Sequence, residues 1–425
     1  MTKRCLQYLF VCMLLMCLWN IKINEISDPK LEVHKIRSNT KEKSRREEGQ
    51  SGWKFKTSFS VDLVYTWVNG SDPAQKKSLA RFRKTYFRIN LLTATRAINL
   101  SFSRFADTGG LRYSLRSVEK YANWLRHVFI VTNGQVPKWL NLKNPRVTVV
   151  NHKEIFDNPD DLPTFSSPAI EHNIYKIRGL SDRFIYMNDD VFFGRKVSLE
   201  DFYTKQKGTK VYLENPTSTQ CSRKCKIVMI KNDVCDDVCN NDHCAWDGGD
   251  CGGFPERLTP TEKNTAHLDY LTSIFYTNAV FNRAFGRRKR RYGAHGPLFI
   301  EKKVNRDMVK RFPTEVAETC RHKMRSPLDL QFGFSYLHFL MEGSNHSRRF
   351  DPRITSSSVA FLEITLNETK TRKYLNLLQK LKRKFICIND DIDYREQAAA
   401  EKIIALLQEF YESWFPHPSS FEINN

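Results

Sequence analysis

From Val61 onward, short apolar runs rich in β-branched and aromatic residues alternate with stretches of helical period. The run Val61 to Val68 stops at Asn69-Gly70-Ser71-Asp72-Pro73, so it predicts a strand that meets a polar turn. After a helical stretch, Asp107-Thr108-Gly109-Gly110 is placed to cap a helix. In that helix Leu111, Leu115 and Val118 share one face at i, i+4 and i+7, with Arg112, Arg116 and Glu119 on another. The pattern next predicts strands over 127–132 and 146–150, a helix over 169–178, and a strand from Phe184. An aromatic-rich helix over 330–341, a strand at Phe385 and a final helix over 395–414 complete it. The last helix gathers Ile403, Leu406, Leu407, Phe410 and Trp414 on one packing face. Strands alternating with helices predict an α/β fold with a doubly wound parallel sheet.

Sheets of that kind bind ligands beyond the carboxyl ends of their strands. The apolar run at Phe184 ends in Asn188-Asp189-Asp190-Val191-Phe192-Phe193-Gly194. Two carboxylates delivered to a sheet edge suit Mg²⁺ or Mn²⁺ on a diphosphate, and an Asp-rich turn is the plain alternative. Adjacent strand residues point to opposite faces, so one of Asp189 and Asp190 is expected to ligate directly and the other to support it. Asn389 and Asp390, at the end of the Phe385 strand, are expected to complete the metal environment or to cap the last helix. Trp67, Asn69 and Asp72 follow the first strand and are candidates for contacts to a nucleotide; Tyr65 and Trp67 equally fit core aromatics. Arg112 and Arg116, one helical turn apart near a helix N-terminus, could meet a diphosphate or salt-bridge a surface helix.

Composition narrows the partners. A formal net charge of +21 over 425 residues predicts attraction to anions, and without a helix-turn-helix, zinc-finger or RNA-binding motif nucleic acid is disfavoured. Arg287-Arg288-Lys289-Arg290-Arg291 is expected to be an anion-facing loop, with dibasic processing as the competing reading. Residues 1–4 carry positive charge ahead of the apolar stretch 5–23, which predicts a cytosolic tail and a signal anchor, a cleaved signal peptide being the alternative. Residues 24–58 are polar and aperiodic, as in a luminal stem. Of the 11 cysteines, Cys5, Cys12 and Cys17 fall in the anchor; the rest form an even set, as an oxidising lumen favours. Cys320 and Cys387 stand apart as a candidate pair.

Residues 217–254 interrupt the α/β pattern with Cys221, Cys225, Cys235, Cys239, Cys244 and Cys251, ending in Cys-Ala-Trp-Asp-Gly-Gly-Asp-Cys. Six thiols among acidic residues in a secretory setting favour disulfides around calcium over zinc. The spacing resembles a Lin12/Notch repeat. That resemblance implies the pairings Cys221–Cys244, Cys225–Cys239 and Cys235–Cys251, and Ca²⁺ ligands including Asn232, Asp247 and Asp250.

Four further blocks resemble the Stealth family of sugar-phosphate transferases: Val61 to Asp72, Asp107 to Leu140, Leu162 to Gly194 with His295 to Phe339, and Phe385 to Asp393. The resemblance implies a Rossmann-like nucleotide-sugar transferase (GT-A-like) core, with halves 59–216 and 255–425 flanking the repeat. It further implies His295, Arg325 and Asp329 as catalytic residues beside Asp190, and Asp107 among the donor-binding ones. Arginine forks onto phosphate oxygens, and His295 or Asp329 could take a proton from an attacking hydroxyl. With the Notch-type repeat, the implied reaction moves GlcNAc-1-phosphate from UDP-GlcNAc to the C6 hydroxyl of mannose on high-mannose glycans of lysosomal hydrolases, with release of UMP. The implied setting is a Golgi type II membrane protein, active as a homodimer. One Notch-type repeat is present where vertebrate relatives have two, and the spacer and DMAP-interaction domain are missing, which leaves acceptor choice open. Two other functions fit the sequence: an inert luminal binding module, and an ordinary glycosyltransferase that releases UDP.

Overall fold

A computed structural model of the chain describes residues 59–89, 105–214, 225, 229, 234–239, 265–286, 288, 290–343, 350–354 and 358–423. All of them fall in one compact unit, Phe55–Asn425. Five strands form the central sheet: β1 (Val61–Thr66), β2 (Val128–Thr132), β3 (Val147–Asn151), β4 (Arg183–Asn188) and a later strand, Leu298–Glu301. Their order is β3-β2-β1-β4 followed by Leu298–Glu301, with the first four parallel and the last antiparallel. β1 and β4 are buried almost end to end, as strands covered on both faces must be. Alternation splits their side chains between two cores. Leu63, Tyr65, Ile185 and Met187 enter one, Val64, Phe184 and Tyr186 the other. Thr66 pairs with Asn188, so both strands end at one carboxyl edge.

α1 (Pro73–Ile89) follows β1, and α2 (Gly110–Tyr121) precedes β2. Leu111, Leu115 and Val118 of α2 are buried in the core beneath β1, as their spacing predicts, each burial stabilising by roughly 1.5–3 kcal/mol. The expected helix over 169–178 is shorter, α3 (Ser167–Glu171), with a separate 3₁₀ turn at Ile174–Lys176. Asn173 donates its side-chain amide to the Ala169 carbonyl at 2.8 Å, competing with a continued helical ladder.

Two residues after β4 the chain enters β5 (Val191–Phe193), which belongs to another sheet. The hairpin β6 (Tyr203–Thr204) and β7 (Gly208–Leu213) leads, past the Notch-type segment, to α4 (Thr265–Phe285) and to β8 (Leu298–Glu301), the antiparallel edge of the central sheet. α5 (Lys302–Arg311), α6 (Pro313–Arg321) and α7 (Phe332–His338) follow. The expected helix over 330–341 is thus α7 plus a π turn at Phe339–Gly343. β9 (Phe350–Ile354) pairs with β7. β10 (Val359–Ile364), α8 (Glu368–Leu381), β11 (Phe385–Asp390) and α9 (Gln397–Trp414) close the chain. β11 lies between β10, parallel, and β5, antiparallel. The predicted apolar face of α9 packs into a third core with α8 and β11.

Three expectations need correction or lie elsewhere. Cys320 and Cys387 are free and buried, not paired. They occupy different cores: Cys320 receives the Asn173 amide at 3.3 Å, while Cys387 sits on β11. Arg290 of the basic run is not presented to external anions. It is 1% exposed, ion-paired to Glu342 at 2.6 Å and bonded to Asn278 and Asn282. In the Notch-type segment Cys225–Cys239 is a disulfide, as implied, and Cys235 is also disulfide-bonded. Cys221, Cys244, Cys251, Asn232, Asp247 and Asp250 lie outside the described residues, as do the anchor and stem. Among the described residues no helix is long and apolar enough to cross a membrane.

Candidate active site

The Asp189-Asp190 pair occupies the seam between the two sheets. β4 carries the chain to the carboxyl edge, the pair turns it, and the Asp190 carbonyl accepts from the Ile388 amide at 2.9 Å as β5 runs back along β11. Cys387 pairs with Val191 and places its thiol 3.4 Å from Asp190 Oδ2. Asp190 Oδ1 is buried with no partner. Burial raises the Asp190 carboxyl to about 6, against the Cys387 hydrogen bond. Asp189 is pushed well above the carboxylate range by burial and then by Asp190, Asp107 and Asp390. Burial also raises Asp107, against the hydrogen bond its Oδ1 accepts from the Gly109 amide at 2.9 Å.

Local sequence explains how this crowding is built. Gly109 takes a left-handed φ of 85°, and a Cβ at Gly110 would lie 2.6 Å from the Asp189 carbonyl oxygen. The glycine pair therefore lets α2 start against the acidic turn. Alternation along β11 puts Asn389 on the Cys387 face and Asp390 on the other. Asp390 is satisfied within its own turn, by the Ile392 amide at 2.9 Å and the Tyr394 hydroxyl at 2.5 Å; burial still raises it to about 6. Among the described residues no three Asp, Glu, His or Cys side chains stand in metal-ligand geometry. The orphaned Asp190 oxygen, with carboxylates as the strongest charges on Asp189, nonetheless fits an all-oxygen divalent-cation site.

A second polar group extends from the same edge. Tyr186 of β4 bonds Thr66 at 2.9 Å, Asn188 at 2.8 Å and the Glu171 carboxylate at 3.0 Å. Burial raises the Glu171 carboxyl, while Arg325 and Tyr186 oppose the rise. Arg325 donates to Ser167 Oγ at 2.6 Å. Tyr270 of α4 feels Glu214, Arg325 and Glu171 together, so this group continues to the His295 loop. His295 stands 3.9 Å from Glu214, with its ring 4.5 Å from that of Phe361. Phe361 pairs with Cys387 across β10 and β11, which relates His295 to Asp190 across two strands.

Several expected roles change. Asp329 is fully buried and bonded to His322 Nδ1 at 2.7 Å and to the Ser326 amide at 2.8 Å, so it has no oxygen free to meet a substrate. Arg112 and Arg116 both bond Glu422, and Arg116 is 4% exposed and bonded also to Glu412 and the Phe415 carbonyl. They fasten the C-terminal segment instead of presenting themselves to a diphosphate. Trp67 is 7% exposed within the core, not a free stacking platform. Asp72 caps α1 through the Ala74 and Gln75 amides, and Asn69 closes its turn on the Ser71 amide and Gln135. Sequence reasoning missed Glu171, Tyr186, Tyr270, Glu214 and His322. Tyr186 had one visible signal, its place on the β4 strand just before the acidic turn.

The Stealth conserved regions match this chain in order: region 1 over residues 59–86, region 2 over 104–211, region 3 over 294–342 and region 4 over 376–425, with a Notch LNR domain over 218–252. The chain is 58% identical over 155 residues to mouse N-acetylglucosamine-1-phosphotransferase subunits alpha/beta, a match covering 36% of this chain and 12% of that protein. It is 30% identical over 365 residues to an exopolysaccharide phosphotransferase of Streptomyces coelicolor, covering 86% of this chain and 52% of that one. Among solved structures, the galactosyltransferase LgtC bound to donor and acceptor sugar analogs aligns over 83% of this chain and 96% of its own at 10% identity. Its TM-score of 0.37 is too low to carry an argument. With all four conserved regions present around one acidic strand edge and a Notch-type module between the second and third, the chain belongs to the Stealth family of transferases.

Proposed function

We propose that the protein transfers GlcNAc-1-phosphate from UDP-GlcNAc to the C6 hydroxyl of mannose on high-mannose glycans of lysosomal hydrolases, releasing UMP. The observation that carries this reading is the unpartnered Asp190 oxygen among clustered carboxylates at the end of β4. It lies in a chain similar to a GlcNAc-1-phosphotransferase. Asp190 and Asp189 would hold Mg²⁺ or Mn²⁺, with Asn389 and Asp390 beside them. When bound, the ion neutralises charge on the diphosphate. Arg325, next to Glu171 and Ser167, suits a phosphoryl oxygen. The acceptor oxygen bonds the β-phosphorus as the bond to the bridging oxygen breaks, and UMP keeps that electron pair. Calcium in the Notch-type module, a homodimer, and a Golgi membrane anchor at 5–23 with the catalytic part luminal belong to the same reading.

Nucleotide analysis tests it: the purified protein with UDP-GlcNAc, Mg²⁺ and α-methyl mannoside should yield UMP that requires both acceptor and Asp190. Release of UDP would replace the reading with glycosyl transfer, and donor hydrolysis indifferent to acceptor would remove the mannose assignment. Similarity to the exopolysaccharide phosphotransferase over most of the chain supports a second reading, sugar-phosphate transfer to another glycan, which the same assay reads by changing the acceptor.

A further inference from the structure

We infer that His322, held by Asp329, is the group that takes the proton from the acceptor hydroxyl. This rests on the phosphotransfer reading above. His322 follows α6 and puts Nδ1 2.7 Å from Asp329 Oδ1. Asp329 is fixed from several sides: it is fully buried, Oδ2 accepts the Ser326 amide at 2.8 Å, and Ser166 Oγ lies 3.5 Å away. A buried carboxylate on Nδ1 sets the tautomer with the proton on that nitrogen and leaves Nε2 as the basic one. The His322 side chain is 32% exposed, and Nε2 has no hydrogen-bond partner among the described residues.

The dyad is tied to the acidic strand edge by the same short loop. Arg325, three residues after His322, reaches Ser167 at the start of α3, and α3 carries Glu171 to Tyr186 on β4. His322 and Arg325 thus belong to one loop and both act on the buried Asp329 carboxylate. Among the described residues His295 has no comparable orienting partner: Glu214 is 3.9 Å away and the His295 ring rests on exposed Phe361. Among the described residues, the charged groups of this loop are Asp329, which meets His322, and Arg325, with Lys323 facing Asp160 and Asp161 and with Glu171 on α3 acted on by both Arg325 and Asp329. In the step itself the C6 hydroxyl proton passes to His322 Nε2, the oxygen bonds the β-phosphorus, and the bridging P–O bond breaks with its electrons going to UMP.

The test is the pH dependence of UMP release by wild type, His322→Gln, Asp329→Asn and His295→Gln. In His322→Gln, kcat should fall on the order of a hundredfold with donor KM nearly unchanged, the acidic limb of the profile should vanish, and imidazole should restore part of the rate. Asp329→Asn should lower kcat in the same way by presenting the wrong tautomer, whereas His295→Gln should keep the acidic limb. Thermal stabilisation by UDP-GlcNAc reports that each variant is folded and binds donor. A folded His322→Gln, or Asp329→Asn should the first not fold, that keeps the wild-type rate and acidic limb overturns the inference alone. Wild-type protein that releases UDP instead of UMP overturns the phosphotransfer reading, and this inference with it.

Discussion

The chain writes Asn-Asp-Asp twice at the end of a buried strand, at Asn188-Asp189-Asp190 after β4 and at Asn389-Asp390-Asp391 after β11. The two copies meet the same edge and differ in what satisfies them. Asp390 folds its oxygens onto its own turn, through the Ile392 amide and Tyr394 hydroxyl. Asp190 has only a thiol on one oxygen and nothing on the other. A short polar motif is thus neutral about function. It keeps an oxygen unsatisfied where the surrounding backbone is already spoken for by sheet pairing, as around Asp190, and it becomes a turn where the next residues curl back to serve it. Glu422 marks the opposite extreme: hydrogen bonds from Arg116, the Ser419 amide and Arg112 outweigh burial and hold its carboxyl at about 2.

Asp190→Asn attacks the contrast at its strongest point. UMP release should drop on the order of a thousandfold, as for loss of a principal electrostatic element, while the fold persists. Because the raised Asp190 carboxyl at about 6 makes ionisation costly in the folded state, that cost is present above about 6 and fades as pH falls. The metal-free wild type should therefore melt at higher temperature near pH 5 than at pH 7, and Asp190→Asn should flatten that slope; a melting curve indifferent to both would contradict the crowded-carboxylate picture. Glu422→Gln should leave kcat nearly intact but lower stability by roughly 3 kcal/mol, since it strands buried Arg116. The Glu422 shift runs the other way. Its contribution is complete above 4.5 and lost as pH falls toward about 2, so a denaturant titration across that window should show wild type losing what the variant already lacks. Asp390→Asn should cost about tenfold in kcat, a support role, and equality with Asp190→Asn would erase the distinction between the two copies. The smallest effect, about threefold, is expected for Tyr394→Phe, read in the same assay.

Legibility followed periodicity. Strands β1 to β4 and β11, the packing faces of α2 and α9, and the strand-end position of Asp189 and Asp190 follow from alternation and helical spacing, which local physics enforces; β5 to β10 were not read from the sequence. Side-chain engagement was another matter. Arg112 and Arg116 have the spacing of an anion clamp, but their partner Glu422 lies some three hundred residues downstream, and no local pattern marks it. Asp329 was visible as an acid; its capture by His322 depends on how the loop after α6 closes. Glu171 and Tyr186 become a site only because α3 packs beside β4, a contact between segments whose sequences carry no shared signal. The expected Cys320–Cys387 pair failed for the same reason: even counting of thiols says nothing about which core each enters.

The two residues between β4 and β5 also set a parity. Val191 and Phe193 enter the core under the central sheet, and Phe192 enters the one beneath α9. One inserted residue there would exchange those destinations and turn the whole strand inside out, whereas two would keep each side chain at its address and move only the carboxylates. In descent, the length of this joint is therefore expected to change by pairs or not at all, so the spacing of the acidic residues is guarded by the hydrophobic cores as much as by the chemistry they serve.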